Sequence, residues 1–299
     1  MKNIDFSSKI RILICCHKQY QLPPNPKEIF LPIQVGASIA ETKLNMQGDD
    51  NIGGFPCENI SAKNKNYCEL TAMYWAWKNI KKLYPDLQYI GLCHYRRYFS
   101  FNKRNYFDDA IIIPESKVKK YSLNVQKLEE YLKKYDCIIP QKRVYPYSLE
   151  IDYSVNHQSE DLRTLNRLVH DLSSDYNYAY NDVIIQNNKL SHYNMFIMSW
   201  ENFNSYCTWL FKILGQAEKN IDISSYNSIQ ARIWGYMAER LFNVWLYKNK
   251  LKIKYLNIIK FDNAKSDSHL RQFKKLVKNT LAFNIATKPL GLGRFKKNF

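Results

Sequence analysis

The sequence predicts an α/β domain over residues 1–262, followed by a basic amphipathic tail over 263–299. Short apolar, β-rich runs alternate with longer segments of helical period as far as residue 261, the pattern of strands layered between helices. The chain is 45% hydrophobic and 15% aromatic, enough to build a substantial core. From Ala264 onward nine Lys/Arg stand against one acidic residue, and Leu270, Phe273, Val277 and Leu281 recur on one helical face.

Taken in order, Ile10–Cys16 reads as a first buried strand and Ile33–Ala37 as a second. The polar stretch from Gly48 to Asn66 is too long for a plain connector, and loops of this length commonly carry function. A helix is expected over Tyr67–Leu83, with Leu70, Met73, Tyr74 and Trp77 as its buried stripe and Pro85 ending it. Leu87–Cys93 is a central strand. A helix near Val125–Tyr135, a strand at Cys137–Ile139 and a helix near Ser159–Leu172 come next. Tyr193–Met198 is another strand, and helices are expected at about Glu201–Lys219 and Ser228–Tyr247. The strand KIKYLNIIKF closes the domain.

Charge and cysteine usage narrow the class. Lys and Arg total 44 against 27 acidic residues, a net charge of +17, which points to an anionic partner. Nucleic acid is the weaker candidate, because the basic residues are spread along the chain and no zinc finger, RNP-like or Arg/Gly segment accompanies them. The seven cysteines lack metal-ligand spacing and read as buried, reduced thiols of a cytoplasmic protein. No run reaches the roughly 18 apolar residues of a membrane span, and the first residues lack the features of a secretory signal. The tail suits an anionic membrane surface; a helix docked on the protein's own core is the competing reading.

The segment Gly91-Leu-Cys-His-Tyr-Arg-Arg-Tyr-Phe99 is the most informative. An apolar strand ends there and delivers His94, Arg96 and Arg97 at its carboxyl end, the edge where ligands bind in open α/β sheets. Two guanidinium groups beside an imidazole suit a diphosphate, since Arg donates paired hydrogen bonds to phosphate oxygens. Surface arginines paired to local carboxylates would look the same in sequence.

The loop ending NISAKNKNYCELTAMYWAWKN, the IGLCHYRRYF strand, YNMFIMSWENFNSYCTWLF and RIWGYMAERLFNVWL together resemble a bacterial glycosyltransferase family first catalogued as a domain of unknown function. That family occurs in capsule, exopolysaccharide and O-antigen gene clusters, and some relatives are described as galactofuranosyltransferases. The resemblance implies a single-domain, Rossmann-like fold of the GT-A type with a mixed central sheet. It also implies a nucleotide-sugar donor, with UDP-galactofuranose or UDP-galactose as candidates, and a lipid-linked oligosaccharide acceptor met at the inner face of the cytoplasmic membrane. Many enzymes of that fold hold a divalent metal with Asp-x-Asp after the central strand. Here that slot carries His94-Tyr95-Arg96, so no metal or other cofactor is expected to be required. Mn or Mg on Asp49-Asp50 or Asp108-Asp109 is the reserve.

The remaining candidates are less sharply placed. His17 comes just after the first strand, where such folds contact the nucleotide. Asn64 and Tyr67 lie where the polar loop turns into a helix, whose N-terminus attracts anions, and Glu69 of that helix is placed to reach the nucleotide or sugar from its edge. For the base that takes the acceptor's proton, His157, Asp161 and Glu239 are the candidates, and Asn194 is placed at the acceptor or donor sugar. Asp161 can equally be a first-turn residue favoured by the helix dipole, and Glu239 a helix ion pair. Rival readings are a sugar-phosphate transferase, a catalytically silent assembly partner and a nucleic-acid binder.

Overall fold

The computed structural model describes residues 6–287. The strands of its main sheet, in chain order, are β1 (Ile10–Cys16), β2 (Phe30–Gln34), β3 (Gln47–Gly48), β4 (Tyr89–His94) and β5 (Arg97–Phe99). They continue as β6 (Ala110–Ile113), β7 (Cys137–Pro140), β8 (Phe196–Ser199), β9 (Ile253–Leu256) and β10 (Ile258–Phe261). The main sheet runs β9-β7-β8-β4-β1-β2-β3. Within that row every neighbouring pair is parallel except the two made by β8, which runs against both β4 and β7. The carboxyl ends of β1, β4 and β7 therefore share an edge with the amino end of β8.

Side chains alternate between two cores, as the period of a strand dictates. Leu13 and Cys15 of β1 join Leu92 of β4 and Ile139 of β7 on one face. Ile10, Ile12, Ile14 and Cys16 join Cys93, Ile138 and Ile197 on the other. Helices α1 (Leu70–Leu83), α3 (Leu149–Asn156), α4 (Ser159–Leu172), α5 (Trp200–Asn220) and α6 (Ile233–Lys248) cover the first face. The second is covered by α2 (Val125–Lys134) and an aromatic group that includes Tyr98, Tyr121 and Phe261. Gly91, between β1 and β8, is required by contact: a Cβ there would lie 2.9 Å from Ile197 Cγ1 and 3.0 Å from the Phe196 carbonyl oxygen.

Several expectations shift. β2 ends at Gln34, not Ala37, because Gly36 turns the chain at φ +65° and the buried Asp49 carboxylate accepts the backbone N–H groups of Gly36 and Ala37. The helix expected over Tyr67–Leu83 is broken at Cys68 (φ 53°, ψ −130°), leaving a short turn at Asn64–Tyr67 and α1 proper. Its buried stripe is rotated to Met73, Trp75, Ala76 and Ile80, while Tyr74 and Trp77 are only half-buried. The closing strand divides at Asn257, whose amide binds the carbonyls of Asn105 and Asp108 and so sends β9 and β10 to different partners. A helix that periodicity does not predict, α3, is capped by Ser148. All seven cysteines are free thiols and five are buried.

Beyond β10, α7 (His269–Thr287) forms from the predicted basic tail, of which residues 288–299 lie outside the described residues. Asn279 donates to the Val144 carbonyl, and Gln272 accepts from Asn105. Leu270, Phe273, Val277, Leu281 and Ile285 lie on the other side of this helix and are exposed. No helix among the described residues is long and apolar enough to cross a membrane.

Candidate active site

A cavity of about 1150 Å³ opens at the shared sheet edge. It is floored by the ends of β1 and β4 and by His192 and Tyr193 ahead of β8, and walled by the Cys68 break, the loop after β7 and one face of α6. Seven Lys/Arg line it against three carboxylates. Three of the cations are paired: Arg96 with Glu115 at 3.3 Å, Arg143 with Asp109 at 3.0 Å, and Arg240 with Asp152 at 2.9 Å. The other four (Lys18, Lys65, Arg97 and Arg232) have no carboxylate partner among the described residues.

Arg97 stands opposite His94 in the β4–β5 register, so its guanidinium emerges at the carboxyl end of the central strand. It lies 4.7 Å from the centre of the Tyr193 ring, and its buried Nε has no hydrogen-bond partner. A buried donor left unsatisfied is costly and rare. The neighbouring Arg232 donates from Nε to Cys68 Sγ at 3.2 Å. Burial, then the Glu69 charge, pushes the Cys68 thiol up to about 11 despite that contact, so it remains a neutral thiol.

His94 is the hinge between the cationic and carboxylate parts. Its Nε2 lies 2.7 Å from the Tyr193 carbonyl, which fixes that nitrogen as the donor. Burial lowers its pKa and Arg97 adds to this, outweighing Glu69, so the ring is neutral at pH 7. Glu69 accepts from Asn194 Nδ2 at 2.7 Å.

Tyr193 and Asn194 both have positive φ, 75° and 50°, an uncommon backbone for residues with side chains. This turn points the Tyr193 N–H at Glu239 Oε1 (2.7 Å) and the Asn194 amide at Glu69. Glu239 Oε2 lies 3.3 Å from His192 Nδ1, and His192 Nε2 lies 2.6 Å from the Tyr145 hydroxyl. Burial pushes the Glu239 carboxyl up, but the hydrogen bond and charge of His192, the charge of Arg240 and the Tyr193 N–H outweigh it and bring it to about 2. Glu239 is therefore ionised throughout the physiological range.

Of the residues singled out from sequence, His17, Asn64, Glu69, His94, Arg96, Arg97, His157 and Glu239 all line this cavity. His157 stacks on Tyr236 at 4.1 Å, and Asn64 turns its amide inward to the Cys68 carbonyl. Two candidates lie elsewhere. Tyr67 is a core residue donating to Glu218, and Asp161 is buried on α4, where it accepts from the Tyr226 hydroxyl. Asn194 is buried behind Glu69 rather than lining the cavity. The reserve metal ligands are also engaged. Asp49 holds the Gly36 turn and Ser61, Asp50 pairs with Lys43, and Asp109 pairs with Arg143. The strand-end slot carries one imidazole and two guanidinium groups where an Asp-x-Asp enzyme carries carboxylates. No group of three or more His, Cys, Asp or Glu side chains among the described residues is arranged to hold a metal ion.

Sequence reasoning missed Arg143, Tyr145, His192 and Arg232. For Arg232 a signal existed: residues 232, 236, 239 and 240 share the helical face opposite the buried Trp234, Met237, Ala238 and Leu241.

A mixed sheet with one reversed strand and a polar cavity at its carboxyl edge defines a fold of the GT-A glycosyltransferase type. Residues 11–250 match the family described as a domain of unknown function (DUF4422), and the chain belongs to that family. Among solved structures it is similar to one described as the WbbM bifunctional glycosyltransferase in apo form. The TM-score is 0.73 at 27% identity, over 85% of this chain and 46% of that one. The chain thus spans about half the length of that relative. No curated protein matches it.

Proposed function

We propose that this protein is a glycosyltransferase that moves a sugar from a nucleotide diphosphate donor to a glycan acceptor in cell-surface polysaccharide synthesis. The observation that carries the reading is Arg97: a half-buried guanidinium with an unsatisfied Nε, set at the carboxyl end of the central strand among three further cations that lack carboxylate partners among the described residues. A diphosphate in the cavity accepts from the exposed nitrogens of these side chains, and fixed cations stabilise the charge that develops as it leaves. The likeness to a bifunctional glycosyltransferase over most of this chain supports the same reading.

The finer assignment is UDP as the nucleotide, with galactofuranose or galactose as the first sugars to test. In this reading Arg97, Arg232, Lys18 and Lys65 do the work given elsewhere to a metal, so transfer proceeds in EDTA. Full loss of activity in EDTA, restored by manganese, would refute that part. The acceptor is a lipid-linked oligosaccharide, and α7 lies on the anionic inner leaflet with Leu270, Phe273, Leu281 and Ile285 inserted and Lys275 and Lys278 along one flank. Flotation with anionic vesicles, lost in Phe273→Glu/Leu281→Glu, tests the membrane contact.

The deciding experiment is calorimetry of the purified protein against UDP, GDP, CMP and UDP-sugars, followed by mass spectrometry of the product formed with a lipid-linked acceptor. A glycosidic product supports the reading. A phosphodiester product replaces it with sugar-phosphate transfer, and silence toward every nucleotide refutes it.

A further inference from the structure

We infer that Tyr145, His192 and Glu239 form a proton relay that deprotonates the acceptor hydroxyl, with His192 Nε2 as the base. The inference rests on the glycosyltransferase reading and adds to it the identity of the base and the stereochemical outcome.

The geometry is a chain of three groups that all line the cavity. Glu239 is clamped by the Tyr193 N–H at 2.7 Å, and its second oxygen faces His192 Nδ1 at 3.3 Å. In the neutral ring an ionised carboxylate there requires the proton on Nδ1, and that tautomer leaves Nε2 with a free lone pair. That lone pair is met by the Tyr145 hydroxyl at 2.6 Å. Tyr145 is held in turn by its backbone: its N–H donates to the Asn188 carbonyl, and its own carbonyl accepts from Asn188 Nδ2. His192 and Glu239 have side chains only 12% and 15% exposed, so both keep one orientation. Glu69, the rival carboxylate, has no imidazole among its hydrogen-bond partners in the described residues; it accepts from the Asn194 amide.

Glu239 is held too low to be an effective base itself, and its contribution is to stabilise His192 as an imidazolium. In the step, the acceptor oxygen bonds to the anomeric carbon as the bond from that carbon to the diphosphate oxygen breaks. The acceptor's proton passes to the Tyr145 oxygen while the Tyr145 proton passes to His192 Nε2. The nucleoside diphosphate leaves with the bonding pair, held by Arg97 and Arg232, and the imidazolium later returns its proton to water. A single displacement by an activated hydroxyl inverts the anomeric configuration. Charged groups facing His192 are Glu239 from α6, Asp152 from α3 and Asp109 from the segment before β6, while Arg143 and Arg240 face Tyr145.

The test uses full-length protein and the variants His192→Gln, Tyr145→Phe and Glu239→Gln. UDP affinity, thermal melting and the pH profile of kcat are measured on each, with the anomeric configuration of the product read by NMR. His192→Gln is expected to lose roughly 10²–10⁴-fold in kcat, with UDP affinity and melting near wild type, and to lose the acidic limb of the profile. Tyr145→Phe is expected to lose roughly 10-fold or more, and Glu239→Gln to shift the acidic limb. A wild-type enzyme that transfers with retention overturns the relay alone, as does His192→Gln within about threefold of wild-type kcat. Wild-type protein that binds no nucleotide sugar overturns the glycosyltransferase reading and the relay with it.

Discussion

Replacing Arg97 by Met should separate a ligand-binding guanidinium from a structural one. In the free protein the side chain gains a contact with the Tyr193 ring at 4.7 Å, worth about 0.5–1 kcal/mol, and loses by leaving Nε buried and unpaired, at about 1–2 kcal/mol. These oppose one another, so Arg97→Met should leave the unfolding free energy within about 1 kcal/mol of wild type. Binding is different: two charge-assisted hydrogen bonds to a diphosphate are together worth about 2–4 kcal/mol, so UDP should bind roughly 30- to 1000-fold more weakly. Arg143→Met is the counterpart. It strands the buried Asp109 carboxylate, and because Arg143 itself is 37% exposed the loss should be about 1–3 kcal/mol. Urea denaturation and UDP calorimetry on both variants give the comparison. An Arg97→Met protein destabilised by more than about 2 kcal/mol, yet binding UDP normally, would refute the argument.

Three further predictions concern the scaffold. Gly91→Ala places a Cβ against a backbone oxygen that cannot yield, and overpacking should cost about 1–3 kcal/mol in urea denaturation. Asp49→Ala removes the acceptor for two backbone N–H groups and the Ser61 hydroxyl, and should cost about 3–5 kcal/mol; a loss under about 1 kcal/mol would contradict its role in the turn. Burial, its hydrogen bond with Asp109 and the Asp109 charge push Asp108 up to about 6. A carboxyl raised on folding adds stability that is fully present below its unfolded pKa near 3.8 and is lost as pH rises through 6. Asp108→Asn should therefore flatten stability between about pH 4 and 7 and, after allowing for partial exposure, gain about 1–2 kcal/mol at pH 7. Parallel pH–stability curves for the two proteins would count against this.

How much the sequence conveyed depended on how local the cause was. β1 and α4 begin and end at the residues read from periodicity, because strand alternation and helical spacing are properties of the segment itself. The Cys68 break was illegible because only one of its contacts is local: Asn64 binds the Cys68 carbonyl from four residues away, but Arg232 reaches its thiol from 164 positions away. The rotated stripe of α1 results from the same break. Among site residues, His17, His94, Arg96 and Arg97 were legible because a strand's carboxyl end is marked in sequence by where apolar residues stop. Asp161 and Tyr67 were drawn toward the site by their positions at helix starts, but their partners, Tyr226 and Glu218, are contributed by distant segments. Tyr145 and His192 were invisible for the converse reason, since neither stands in a periodic element and each matters only through the other.

The division of labour in the cavity traces to the single reversed strand. β1 and β4 run parallel, and their carboxyl ends can deliver only the residues at and just beyond a strand's end: His17, Lys18, His94, Arg96 and Arg97. That set is cationic and suits a diphosphate. Because β8 runs the other way, residues that precede it reach the same edge, and His192, Tyr193 and Asn194 arrive beside the phosphate site rather than at the far side of the sheet. The positive φ angles of Tyr193 and Asn194 then let two adjacent residues bind Glu239 and Glu69, carboxylates from α6 and the start of α1. One antiparallel insertion thus keeps a leaving-group site and a base site adjacent but electrostatically distinct.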